Sequence, residues 1–379
     1  SGFDVAVARA FADDAGLALR FERFAWPALA RDVAAARFTV AMSGVTVRPE
    51  RSVVGRFSVP VARSGAVVLA RPAAAAGGLD GLDRPEVRIA VNAGGHLERA
   101  ARRRFARASL QPLSENDAVR RALASGAVDA IVTDTLEAPH WERTLPGTVR
   151  LGPFTRDRKA YLWSLPASEA ERLDAWLLAR EADGTLARLR ERWLGAPGPA
   201  TATPFGALVA ALGERLSLMP LVAEAKRGAG RAVRDRAREA RVLEAARADV
   251  ARHARAAGAA APPPERVEAF YRAQIEAAVA IQERSLAGPP APGPRFDLGG
   301  ELRPALLRIG DRIAWALVRL DAAPSRTEAR AALAAELEPY AIDAAHGDAL
   351  ADALLRLAQS RASTRASSPA ITGSTSDAP

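Results

Sequence analysis

Two cations eleven residues apart, Arg215 and Lys226, are the residues whose types and spacing speak most directly of chemistry. Eleven residues make about three turns at roughly 3.6 residues per turn, so on one continuous helix both side chains project from one face. A break at Gly228-Ala229-Gly230 is followed by Asp235, a good N-cap, and Arg238 then falls in the first turn of the next helix. An arginine at a helix start opposes the macrodipole, so helix stability does not explain it, whereas a dianionic ligand does. In the first half of the chain Arg51 follows Pro49-Glu50, and its planar fork suits a carboxylate. Ser43 and Thr46 flank Gly44, where hydroxyls and free backbone N–H groups can cradle an anion, and Asp134 stands where it can cap a following helix.

The elements that must hold these residues differ between the two halves. Up to residue 195, short apolar runs (Phe38–Met42, Val67–Leu69, Val87–Val91, Ala130–Val132) alternate with helical patterns such as Asp4–Ala15 and Asn116–Ala124, which reads as α/β. A Pro/Gly/Thr/Ala stretch over 196–204 predicts a flexible linker. From there to residue 360 the pattern is helical, broken mainly at Gly258–Pro264 and Ala287–Gly300, and the Ser/Thr/Ala-rich 361–379 predicts a disordered tail.

Composition removes several classes of function. The chain of 379 residues carries a net charge of +9, but its arginines are spread through Ala/Arg-rich segments without a run of five or six, and aromatics are only 5%. That pattern points to biased codon usage and not to nucleic acid, since stacking platforms are missing. With no cysteine there is neither a disulfide nor a thiolate metal site, and the four histidines lack metal-ligand spacing, so no metal or cofactor is expected. No apolar run comes near the roughly eighteen residues expected of a membrane span. The chain begins Ser1-Gly2-Phe3-Asp4, which reads as the middle of a domain with no signal peptide in view.

The stretch with Glu214-Arg215-Leu216, Lys226, Val233-Arg234-Asp235, Arg238-Glu239 and Val242-Leu243, then Phe270–Ile275, Ile281-Gln282 and Gly310–Ile313, resembles the all-helical chorismate mutases, including the secreted subclass in which one chain holds a whole site. The resemblance runs from about residue 204 to 320. It implies that Arg215, Arg238 and Arg312 clamp the two carboxylates of chorismate. Lys226 and Gln282 would donate to the ether oxygen, Asp235 and Glu239 would stand beside the substrate, with Glu239 either orienting Arg238 or sitting in solvent, and the product would be prephenate. Ala278 and Val242 occupy positions that are polar in relatives. A homodimer through this region is compatible with the family.

In the first half, Gly2–Val5, Trp26–Leu29, Ala41–Val45, Pro49–Arg51, Phe57–Pro60, Val91–Gly95, Thr133–Ala138 and Lys159–Leu162 resemble the periplasmic amino-acid-binding proteins, and within them the cyclohexadienyl dehydratases. This implies a two-lobed fold, N-terminally truncated here because the family begins with a strand and loop before the Gly2–Val5 phrase. It implies that Arg51 grips a ligand carboxylate, that Asp134 faces an amino group, and that Glu137 is the acid that protonates the departing ring hydroxyl. Trp26, Ser43, Thr46, Asn92, Gly95 and Lys159 complete the expected binding set. His96 stands where the family usually carries a threonine.

The expectation is therefore a periplasmic or secreted bifunctional enzyme of phenylalanine synthesis. An α/β binding-protein-like dehydratase (1–195) would act on prephenate, arogenate or both, and an all-α mutase (205–360) would act on chorismate. The alternative for the first half is a non-catalytic amino-acid-binding module.

Overall fold

The computed structural model describes residues 2–290, 293–320 and 322–366. They form two compact units that meet in the chain at Thr203 and Pro204.

The first unit has ten strands: β1 (Val40–Ala41), β2 (Arg56–Phe57), β3 (Ala62–Ser64), β4 (Ala66–Ala70), β5 (Arg88–Asn92), β6 (Ser109–Leu113), β7 (Ala130–Asp134), β8 (Val149–Leu151), β9 (Asp157–Lys159) and β10 (Leu162–Trp163). The main sheet runs β6-β5-β7-β4-β8, with β5 parallel to both its neighbours and β4 antiparallel to both of its own. β4 and β7 are buried at every residue, which is why they read as continuous apolar runs and not as alternating ones. The period-two alternation survives beneath that pattern: Val68, Ile89 and Val132 pack on one side with Phe105, while Val67, Leu69 and Ile131 pack on the other with Trp141.

A smaller sheet, β1-β10-β2, holds a second core of Leu29, Val33, Val45, Phe57 and Leu162. The β3–β9 pair sets Lys159 opposite Ala62, and a single bridge sets the same lysine beside Thr46. Asn92 and Asp134 end the parallel strands β5 and β7, the place where α/β sheets open a crevice for ligands.

The connector is not a free linker. Glu181 accepts from the backbone N–H groups of Thr201 and Ala202 at 3.1 and 3.0 Å, and Arg190, ion-paired with Glu181, donates to the Pro197 carbonyl. Its Pro/Gly composition predicted flexibility, but a buried carboxylate finds its N–H partners there, so the stretch to Thr203 is part of the first unit.

The second unit is helical: Pro204–Ser217, Met219–Gly228, Arg236–Ala256, Pro264–Ala287, Arg303–Val318, Arg326–Leu337 and Ala344–Ala366. The continuous helix expected through Arg215 and Lys226 is interrupted at Leu218, because Pro220 has no N–H to give and its ring crowds the Leu216 carbonyl. An 18-residue window within Pro204–Gly228 has a mean hydropathy of 1.5, apolar enough for a membrane span and contrary to the sequence expectation. Since 67% of it is buried inside this structure and it contains Glu214 and Arg215, it is a core helix. Trp315, Phe270, Ile309, Leu333 and Leu354 fill the centre. The last helix runs to Ala366, beyond the boundary expected at 360, and the remainder of the predicted tail lies outside the described residues.

Candidate functional site

Each unit encloses a cavity. In the first unit it measures about 340 Å³, and all nine residues singled out from this half of the sequence (Trp26, Ser43, Thr46, Arg51, Asn92, Gly95, Asp134, Glu137 and Lys159) line it, joined by Asp4, His96 and Asn116. Arg51 starts from the short helix Pro49–Val54, donates to the Thr46 carbonyl at 2.8 Å and lies 5.6 Å from the Trp26 ring, an arrangement that fixes the fork against the cavity wall. Burial lowers its pKa to about 10, with Arg48 adding to the effect, so an anionic ligand is welcome there.

Glu137 lies just past the end of β7. Its carboxyl accepts from the Thr133 hydroxyl at 2.9 Å and from Asn116 Nδ2 at 3.3 Å, and Asn116 in turn accepts from Asn92. Burial, and then the neighbouring Asp134 charge, push its pKa above the ordinary carboxylate value. Such a group can keep a proton to deliver. Asn116 was legible only as a helix residue, yet it links two cavity residues that lie far apart in the chain.

Asp134 does the capping that its position offers and has a second partner besides. One oxygen accepts from the N–H groups of Leu136 and Glu137, capping the turn, and the other is 2.8 Å from Lys159 Nζ. The acid expected to face an amino group already has a cation. His96 is wedged between Arg48, which meets Nδ1, and Asp157, 2.8 Å from Nε2; burial lowers its pKa against the pull of Asp157 and keeps the ring neutral. Asp4, missed at the sequence level, accepts from the Gly44 N–H at 2.6 Å and so fixes the Ser43–Gly44 turn, and burial raises its pKa.

The cavity of the second unit measures about 510 Å³, and Arg215, Lys226, Asp235, Arg238, Glu239 and Gln282 line it together. Four further cations, Arg231, Arg234, Arg241 and Arg303, share it, against the carboxylates of Asp235, Glu239 and Asp249. Arg215 is held by the Leu306 carbonyl at 3.2 Å; its pKa is lowered by burial, an effect opposed by Tyr271 and reinforced by Arg238. Burial also lowers Lys226 and Arg238, and Arg303 pushes both further down. Lys226 donates to the Val233 carbonyl across the glycine break, and Asp235 is committed to the Arg238 backbone N–H as the cap.

Two expectations need correction. Arg312 does not line the cavity: it is 5% exposed and ion-paired with Glu214, itself 3% exposed. Arg303, Leu306, Leu307 and Gly310 line it instead, at the i, i+3, i+4 and i+7 positions of that helix. Gln282 is also turned inward, its Nε2 donating to the Ala278 carbonyl at 3.0 Å and approaching Met219 Sδ, so a donor role toward a ligand requires the amide to rotate. The Arg303 guanidinium has no hydrogen-bond or ion-pair partner among the described residues, while its backbone N–H is given to the Leu298 carbonyl. The signal for it was the Arg303-Pro304 helix start, a second arginine opposed to a macrodipole.

Residues 1–196 match the bacterial extracellular solute-binding proteins, family 3, and residues 206–283 match chorismate mutase type II. The chain belongs to the family 3 solute-binding proteins and carries an all-helical chorismate mutase domain behind that unit. It is a homologue of the cyclohexadienyl dehydratase of Pseudomonas aeruginosa, 34% identical over 201 residues that cover 51% of this chain and 74% of the relative. Solved structures similar to it include an ancestral amino acid-binding protein described as a precursor of cyclohexadienyl dehydratase (27% identity, TM-score 0.48, covering 51% of this chain and 85% of the other). Another is an ABC-transporter binding component from Wolinella succinogenes in complex with lysine (24% identity, TM-score 0.49, covering 51% and 86%).

Proposed function

We propose that this chain performs two consecutive steps of phenylalanine synthesis, in the periplasm where proteins of its binding-protein family usually work. The helical unit rearranges chorismate to prephenate. This step is a concerted pericyclic shift needing no nucleophile, so the protein's task is to hold the compact conformer and stabilise charge on the ether oxygen. Arg215, Arg238 and Arg303 clamp the two carboxylates, and Lys226 turns from the Val233 carbonyl to the breaking C–O bond, with Gln282 as a second donor once rotated. Tyr271 and Glu239 line the same cavity, and Tyr271 stands near enough to Arg215 to favour its charge.

The first unit then acts on prephenate. Arg51 holds the side-chain carboxylate, and Glu137 gives its proton to the ring hydroxyl. The C–O bond breaks to release water, the C–C bond to the ring carboxylate breaks to release carbon dioxide, and the electron pair left behind completes the aromatic ring of phenylpyruvate. The observation that carries this reading is Glu137: a carboxyl biased toward its protonated form, facing a cavity that also presents Arg51.

Feeding chorismate to the full chain tests both steps. Phenylpyruvate, read by its absorbance in alkali, is the expected product. Stoichiometric accumulation of prephenate would remove the dehydratase, and unchanged chorismate would remove the mutase.

A further inference from the structure

Asp134 has little left to offer a ligand. Its Oδ1 takes two backbone N–H groups, at 2.9 and 3.0 Å, and its Oδ2 takes Lys159 at 2.8 Å. Lys159 is held equally firmly: it is 9% exposed, its strand register is fixed opposite Ala62, and its Nζ also donates to the Thr46 hydroxyl at 3.1 Å. An ammonium carries three protons, of which these partners use two. Both residues line the cavity that holds Arg51 and Glu137. The other titratable groups lining it are Asp4, tied to the Gly44 N–H, and His96, held between Arg48 and Asp157.

We infer that the Lys159–Asp134 pair makes this cleft selective for an α-keto acid over the corresponding α-amino acid, so that its substrate is prephenate and not arogenate. The inference rests on the dehydratase reading for its substrates, and its physical content is the charge at one point of the wall. A substrate ammonium brought to Asp134 meets the Lys159 ammonium already seated on its Oδ2, and the two like charges compete for the same carboxylate oxygen, which disfavours the complex. A keto oxygen in the same place accepts the third Lys159 proton. The residue that would grip an amino group is thereby converted into the support for a donor.

The test uses the full chain and measures kcat/KM for prephenate and for arogenate. The expected ratio favours prephenate by at least about tenfold, in the range that one charge-matched contact supplies. Lys159→Met should lower kcat/KM for prephenate and bring the ratio to about one or below. Equal or better use of arogenate by the parent protein, or an unchanged ratio in a folded Lys159→Met chain, overturns the inference. Calorimetry with phenylpyruvate and L-phenylalanine, done in the Arg238→Ala chain to silence the helical cavity, gives a second and independent reading. Phenylpyruvate should bind about tenfold tighter, and equal or tighter binding of phenylalanine is fatal. If neither substrate turns over, the dehydratase reading falls, while the calorimetric comparison still decides the selectivity.

Discussion

Arg303 and Arg312 stand nine residues apart on one helix and face opposite ways. Nine steps of about 100° bring the second side chain two and a half turns round, half a turn out of phase with the first. Arg303 therefore looks into the helical unit's cavity, and Arg312 is sealed against Glu214 on the Pro204–Ser217 helix. One arginine is available to a ligand and the other holds two helices together.

The two substitutions should separate cleanly. Arg303→Ala should lower kcat/KM for chorismate by on the order of a hundredfold, since truncating one partner of a desolvated charge pair costs about 2–5 kcal/mol, with little change in unfolding. Arg312→Ala leaves Glu214 buried without its partner and should destabilise the unit by about 3–5 kcal/mol. Urea unfolding beside steady-state kinetics distinguishes them. The reverse pattern would restore Arg312 to the site.

Glu137→Gln should remove dehydration by about 10²–10⁴-fold and leave chorismate turnover intact, because an amide keeps the shape but delivers no proton. In the parent chain, dehydration should decline as pH rises through the elevated Glu137 pKa. The same shift has a stability sign. A carboxyl whose folded pKa is raised contributes stability fully present below its unfolded value near 4.5, and that contribution is lost as pH rises through the folded value. Glu137→Gln should accordingly stabilise the first unit at neutral pH, with the gap closing on acidification; thermal melts at pH 4 and pH 7.5 measure it.

Gln282→Glu exchanges a neutral donor for a carboxyl facing the Ala278 carbonyl. A carboxylate there is repelled by the carbonyl oxygen, and burial also favours the neutral acid, while Lys226 and the arginines favour the charge. Mutase activity of the variant should fall as pH rises and partly recover on acidification, more in kcat than in KM, while the parent stays flat across neutral pH. Superimposable pH profiles would mean that residue 282 takes no part in the step.

A fragment ending at Thr203 should be more stable than one ending at Leu194. The longer one keeps the Thr201 and Ala202 N–H groups on Glu181, hydrogen bonds to a charged group worth about 1.5–3 kcal/mol each. Residues 204–366 should fold by themselves and turn over chorismate, as checked by circular dichroism and activity of the separate fragment.

Legibility followed the range of the interactions involved. Arg51, Glu137 and Asn92 were readable because each lies in a short phrase that carries its own turn or strand end. The Asp235 cap and the apolar runs of β4 and β7 were readable because capping and burial leave local patterns. Lys159 beside Asp134 was not, since it takes two separate strand pairings, Lys159 opposite Ala62 and Asp134 opposite Ala66, to bring together residues 25 positions apart, and neither leaves a compositional mark. Nor was the phase of the Arg303–Val318 helix, which begins after a single π-helical turn that no periodicity announces. The connector misled because proline and glycine describe how a free chain behaves, not what Glu181 offers it.

The helical cavity carries seven cationic side chains against three carboxylates. A surplus of that size exceeds what one dianion neutralises, and it acts beyond contact distance as an attractive field. Capture of chorismate should quicken at low ionic strength and slow as salt shortens the Debye length from about 30 Å at 0.01 M to about 8 Å at 0.15 M. Prephenate leaves with the same charge that chorismate brings, so the field that speeds arrival also delays departure. Added salt should lower kcat/KM while raising kcat wherever product release limits turnover.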